Sequence, residues 1–182
     1  RRLPGDEYTL ESRLDYDLMR DTRTFRFFSR NGNRFIDVDM VFEPSSEDVV
    51  LGQDLHSALL YARLTRSMIV SNGGRIECAM GAGTQVDTMG KESSWCDYSG
   101  PVAGPQSPWQ GIAIMEHPGN PWQSRVWARD YGYFALSPFN WASHTIQLGT
   151  TLRVRYRVVV HDGDSHTADI AGEWARYEKE AT

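Results

Sequence analysis

The side chains best equipped for chemistry crowd into one stretch, Gly111 to Asn140, which holds His117, Asn120, Trp122, Trp127, Arg129, Asp130 and Tyr131. A neutral imidazole serves as general base or as metal ligand. A guanidinium offers a planar fork that matches a carboxylate or an oxyanion. A carboxylate accepts hydrogen bonds from sugar hydroxyls, and an indole gives a flat apolar face for a sugar ring. His117, Arg129 and Asp130 therefore form a candidate catalytic set: a base near neutral pKa beside a cationic stabiliser, as proton removal next to a carbonyl requires. Asn120, Trp122, Trp127 and Tyr131 are the candidate substrate-binding residues, joined by Lys91 and Trp95 from upstream. The plainer alternative is a loop pinned by an Arg129–Asp130 pair, with His117 and Tyr131 bonded to backbone.

His117 and His161 each stand where a strongly apolar run ends. If those ends meet, the two imidazoles with Glu116, Asp162 or Asp164 could hold a divalent metal; turn histidines satisfied by backbone are the alternative. No cofactor is otherwise expected, because no nucleophile elbow, phosphate loop, dinucleotide glycine pattern or zinc motif occurs. Cys78 and Cys96 lack zinc spacing and read as buried free thiols, with a disulfide left open. Arg153, Arg155 and Arg157 alternate along one run. They suit an anion-binding face, or cross-strand pairing with Asp15, Asp17, Asp37 or Asp39.

Elements must place these groups. Gly111–Met115 is continuously apolar, as a strand buried on both faces would be. Tyr8–Leu18 alternates as a long half-buried strand that includes Tyr16. Thr24–Ser29 and Arg34–Phe42 flank Asn31-Gly32, a hairpin signal, because both residues tolerate positive φ. Val49–Leu51 precedes a loop with Asp54 and His56. Leu59–Val70 reads as a strand, and Asn72-Gly73-Gly74 turns it into Arg75–Met80. Gly81–Glu92 is irregular, Ser93–Tyr98 is a strand, and Glu116 to Asn140 continues as loop. Thr145–Leu148 and Thr151–Val160 are strands. Thr167–Lys179 is the one helix, with Ile170, Trp174 and Tyr177 as its apolar stripe and Ser165 or Thr167 as its cap. Many strands, one terminal helix and no βαβ alternation predict an all-β, mostly antiparallel β-sandwich.

The totals set outer bounds. A chain of 182 residues is enough for a single sandwich domain. A net charge of -5 does not suit a nucleic-acid phosphate reader. No apolar run approaches the ~20 residues needed to cross a bilayer, so neither nucleic acid nor membrane is an expected partner. The chain starts Arg-Arg-Leu-Pro, with no Met and no charged-then-apolar signal segment. A cut or processed start and a cytoplasmic location are the expectation.

Several runs carry a family resemblance. They are Gly90-Lys91 with Trp95-Cys96-Asp97-Tyr98; Gly111-Ile112-Ala113-Ile114 followed by His117-Pro118 and Asn120-Pro121; Arg129-Asp130-Tyr131-Gly132; Pro138-Phe139; and Arg155-Tyr156-Arg157 running to His161-Asp162-Gly163-Asp164. In this order the chain resembles the bacterial PmoA-like family, whose members are labelled methane oxygenase. Members look longer, so the resemblance implies the C-terminal part of a family chain, with a further N-terminal portion or another subunit as partner. Many carry a His just before the Arg-Asp-Tyr-Gly run. Here Ala128 occupies that place, and chemistry resting on that His does not transfer. True methane oxygenation is not expected, since those subunits are membrane-embedded. The resemblance implies instead a supersandwich similar to galactose-mutarotase-like folds, which bind or act on carbohydrates. The expectation is a soluble carbohydrate-related protein, an epimerase or lyase working by acid–base chemistry on a sugar or keto-sugar. The alternatives are a non-catalytic glycan-binding module, or a structural half of a larger β-sandwich assembly.

Overall fold

Tyr8–Asp15 (β1) and Met19–Arg30 (β2) pair antiparallel, and Asn31-Gly32 turns β2 back into Asn33–Pro44 (β3). Both turn residues take positive φ, 52° and 84°, the backbone that the Asn-Gly pair predicts. In this computed structural model the described residues are 7–15, 17–53 and 58–181. Tyr16 and the Asp54 and His56 of the expected loop lie outside them.

The chain continues through Val49–Gly52 (β4), Tyr61–Arg63 (β5), Arg75–Cys78 (β6), Gly81–Gly83 (β7) and the short helix Gln85–Thr88 (α1). Trp95–Pro101 (β8), Trp109–Glu116 (β9), Arg125–Arg129 (β10), Tyr133–Ser137 (β11), Ser143–Ile146 (β12) and Leu152–Asp162 (β13) follow, and Ile170–Glu180 (α2) closes the described fold. Among the described residues the strands form three sheets, ordered β1-β2-β3-β13-β9-β8-β6-β7, β10-β11-β5 and β12-β4. Every pairing is antiparallel. The fold is thus the all-β, mostly antiparallel sandwich that the sequence predicts, with a C-terminal helix.

Alternation along β9 and β13 explains how the layers stack. Ile114, Val154 and Tyr156 point to one face, where they meet Val126, Ala128, Phe134 and Leu136 of the smaller sheet in the main core. Ala113, Met115 and Val159 point to the other face, onto Ile170 and Tyr177 of α2. A strand with an apolar layer on each side must be apolar throughout, which accounts for the run at 111–115. Cys78 and Cys96 are cross-strand partners in the main core, free thiols with sulfurs 3.2 Å apart.

Four local expectations fail. The 81–92 stretch, read as irregular, holds β7 and the one-turn helix α1. Only Tyr61–Arg63 of the 59–70 run is strand; 3-10 turns at Arg66–Met68 and Val70–Asn72 take the rest. The stretch after Glu116 is not all loop, since β10 and β11 form a hairpin within it. Helix α2 starts at Ile170 rather than Thr167, without a side-chain cap, and Thr167 instead hydrogen-bonds Asp164.

No described helix is long and apolar enough to cross a membrane.

Candidate functional site

His117 follows the last residue of β9, and its position is fixed by three backbone contacts. Its N–H donates to the Arg155 carbonyl (3.1 Å), its carbonyl accepts the Asn120 N–H (3.0 Å), and its Nδ1 accepts the Gly119 N–H (2.9 Å). With Nδ1 occupied as an acceptor, the ring proton sits on Nε2. Asn120 clips the backbone of Arg155 from both sides: its Oδ1 accepts the Arg155 N–H (2.9 Å) and its Nδ2 donates to the Arg155 carbonyl (3.0 Å). The imidazole meets the Tyr177 ring edge-on at 5.5 Å. Residue 117 therefore faces α2, on the outer side of the large sheet.

Two cavities border this imidazole. One, of about 340 Å³, is lined by Ser94, Glu116, Trp122, Gln123, Trp174 and Glu178. Glu116 is buried, and its carboxylate accepts the Ser124 N–H (2.7 Å) and Oγ–H (2.5 Å). Burial pushes its pKa up, and the two Ser124 donors work against that shift. The other cavity, of about 260 Å³, has a floor of alternating charge: Arg153, Arg155 and Arg157 of β13, Asp37 and Asp39 of β3, and Arg26 of β2. Tyr177 and Glu180 of α2 form its roof. The arginine ladder thus finds its expected cross-strand partners, with Arg153 on Asp39 and Arg157 on Asp37. Arg155 faces Asp39 directly across the strands yet makes no ion pair with a described residue, and its Nε has no hydrogen-bond partner.

Of the residues singled out in the sequence, His117, Asn120 and Trp122 come together here. Arg129, Asp130, Trp127 and Tyr131 do not. Val126 and Ala128 of β10 point into the main core, so Trp127 and Arg129 point the other way, to the outer side of the small sheet. That is the opposite side of the sandwich from His117. Arg129 lies 4.3 Å over the Trp127 ring, which packs on Trp141. Asp130 does not pair with Arg129; its carboxylate accepts the Gln85 N–H (2.7 Å) at the start of α1. Tyr131 is exposed, Lys91 is exposed on its loop, and Trp95 is buried beneath α2.

The proposed His117–His161 pairing fails for a topological reason. β9 and β13 are neighbours but antiparallel, so their C-terminal ends lie at opposite ends of the sheet. Arg155, beside His117, is six residues from His161 along β13, roughly 20 Å. His161 is instead fully buried, with its Nε2 2.7 Å from Asp97 Oδ2. It packs on Gly111, where a Cβ would come within 2.4 Å of the ring. Among the described residues, no group of three or more His, Cys, Asp or Glu is placed to hold a metal.

The partners that sequence reading missed are Ser94, Gln123, Trp174 and Tyr177. The two aromatics read only as part of a core stripe.

Burial, with Arg155 and Arg153 close by, lowers the His117 pKa from 6.5 to about 4. Between those values the unfolded chain binds more protons than the folded one. Stability should therefore rise with pH across this window, stay level above it, and fall as pH drops toward 4. The ring borders two open cavities, so the expected change is on the order of 1–2 kcal/mol. Urea denaturation from pH 4 to 7.5 checks this. His117→Gln should flatten the slope, and an unchanged slope in that variant would assign it to other groups.

A family model described as "Family of unknown function (DUF6807)" matches residues 5–175. No curated protein and no solved structure matches the chain.

Proposed function

We propose, for a chain that belongs to the DUF6807 family of unknown function, that it binds a carbohydrate without transforming it. The observation that carries this reading is the cavity of about 340 Å³ beside His117, in which Trp122 and Trp174 stand among Glu116, Gln123 and Ser94. Apolar indoles with a few fixed polar groups suit a ring that has one apolar face and a rim of hydroxyls. The volume falls at the lower end of small-ligand clefts, roughly 300–1,000 Å³, which suits one or two sugar rings rather than a long chain.

Two features favour binding over acid–base work. The acceptor nitrogen of His117 is held by the Gly119 amide, and its proton affinity is depressed, so it is a poor base near neutrality. Arg129 and Asp130, its intended companions, serve the small sheet instead.

A titration series decides the point. Mono- and disaccharides should change tryptophan emission and release heat on binding. Trp174→Ala and Gln123→Ala should each weaken binding about tenfold, a loss near 1.4 kcal/mol. Gln123 is exposed, so its variant should keep the parent's circular dichroism. Equal affinity in both variants, or no saccharide binding at all, would count against the proposal. Turnover of a keto-sugar by the parent, abolished in His117→Ala, would restore the epimerase or lyase reading.

A further inference from the structure

We infer that the ligand is an acidic sugar whose carboxylate is taken by Arg155 in the arginine-floored cavity on the far side of His117. This rests on the carbohydrate reading above and narrows it to a ligand class.

The charge pattern singles out Arg155. Four arginines line that cavity against three carboxylates, Asp37, Asp39 and Glu180. Arg153 is held by Asp39 through Nε (2.9 Å). Arg157 is held by Asp37 (2.6 Å) and Glu180 (2.7 Å), and Arg26 by Glu7 (2.6 Å). Each carboxylate is thus already engaged, and the guanidinium of Arg155 is the charge in excess. A part-buried guanidinium without an anion is poorly solvated, and a carboxylate supplies two acceptors in the geometry of its fork.

The side chain is also held ready. Its backbone is locked by Asn120 on both sides and by the His117 N–H. The terminal Nη2 rests against Gly119, where a Cβ would approach it to 2.8 Å. A residue with a side chain at 119 would push the guanidinium out of place. Beside it, His117 keeps its N–H on Nε2 and remains neutral, so it can donate to an oxygen without competing for a proton. The imidazole borders both cavities, so a ring stacked near Trp174 and a carboxylate on Arg155 would bind across it.

The test compares D-glucuronate, D-glucose, acetate and inorganic phosphate on the full chain, by calorimetry at fixed ionic strength. Glucuronate should bind at least tenfold tighter than glucose. Arg155→Gln should erase that preference while leaving glucose affinity unchanged. Gly119→Val should lower glucuronate affinity in the same direction, from the neighbouring loop. Equal affinity for glucose and glucuronate, both lost in Trp174→Ala, overturns this inference and leaves the carbohydrate reading standing. Acetate or phosphate binding as tightly as glucuronate, in an Arg155-dependent way and with no response to glucose, overturns both, because the site would then read charge alone.

Discussion

His161→Leu should cost about 3–5 kcal/mol of folding stability, the usual result of removing one partner of a buried polar pair. His161 and Asp97 are both fully buried, with Nε2 and Oδ2 2.7 Å apart. Burial drives the Asp97 pKa up, while the bond to His161 draws it back. Without the imidazole, the carboxyl would remain in the interior with its main partner gone; its Oδ1 already has none. The two groups sit on β8 and β13, the strands that flank β9, and meet beside Gly111 of β9 with no exposure to solvent, so water cannot reach in without local opening. Adding Asp97→Val to the leucine variant should recover more than half of the loss, since an apolar pair replaces a buried polar pair at little cost. Urea denaturation of the parent, both single variants and the double variant closes the cycle. A loss below about 1 kcal/mol in His161→Leu would mean that the bond between the two groups contributes little.

Arg157→Met should be nearly as damaging, at about 3 kcal/mol, from several moderate losses on one side chain. Its side chain is 3% exposed and grips Asp37 through two nitrogens, 2.6 and 3.0 Å, and Glu180 through a third, 2.7 Å. The guanidinium also lies 4.1 Å over Tyr177, with Phe28 and Phe35 at 5.2 and 5.7 Å. Burial alone would lower its pKa, yet Asp37 and Glu180 more than offset that and hold it charged. Methionine keeps the stem and loses the three charge-assisted bonds. The stability loss should come with weaker Trp174 packing, visible as a red-shifted emission. Glu180→Gln, at an exposed carboxylate, should cost far less. If the two variants prove equal, the buried half of the clasp contributes little.

Much of the scaffold was legible because its signals are local. Asn31-Gly32, the alternation in β3 and β13, and the stripe of Ile170, Trp174 and Tyr177 each state a conformation within a few residues. The β10–β11 hairpin was not legible. Its inward residues, Val126 and Ala128, alternate with Trp127 and Arg129, which look like functional groups, and its turn at 130–132 sits inside an apparently catalytic run. The site was legible only in part. His117 and Asn120 were visible as chemistry, but their true neighbours come from β13 and from a helix some 50 residues on in sequence. Strand direction misled as well: two histidines at strand ends looked convergent, and antiparallel pairing sends them apart. Nor could spacing show that Asp39 would choose Arg153 diagonally and leave Arg155 unmatched.

Helix α2 supplies Trp174 and Glu178 to one cavity and Tyr177 and Glu180 to the other. A single element of 11 residues therefore walls both. Amide exchange in α2 and ligand occupancy must then be thermodynamically linked: whatever fills either cavity slows the detachment of the same helix. A ligand that protects the 170–180 amides in proportion to its concentration reports its own seat without a crystal.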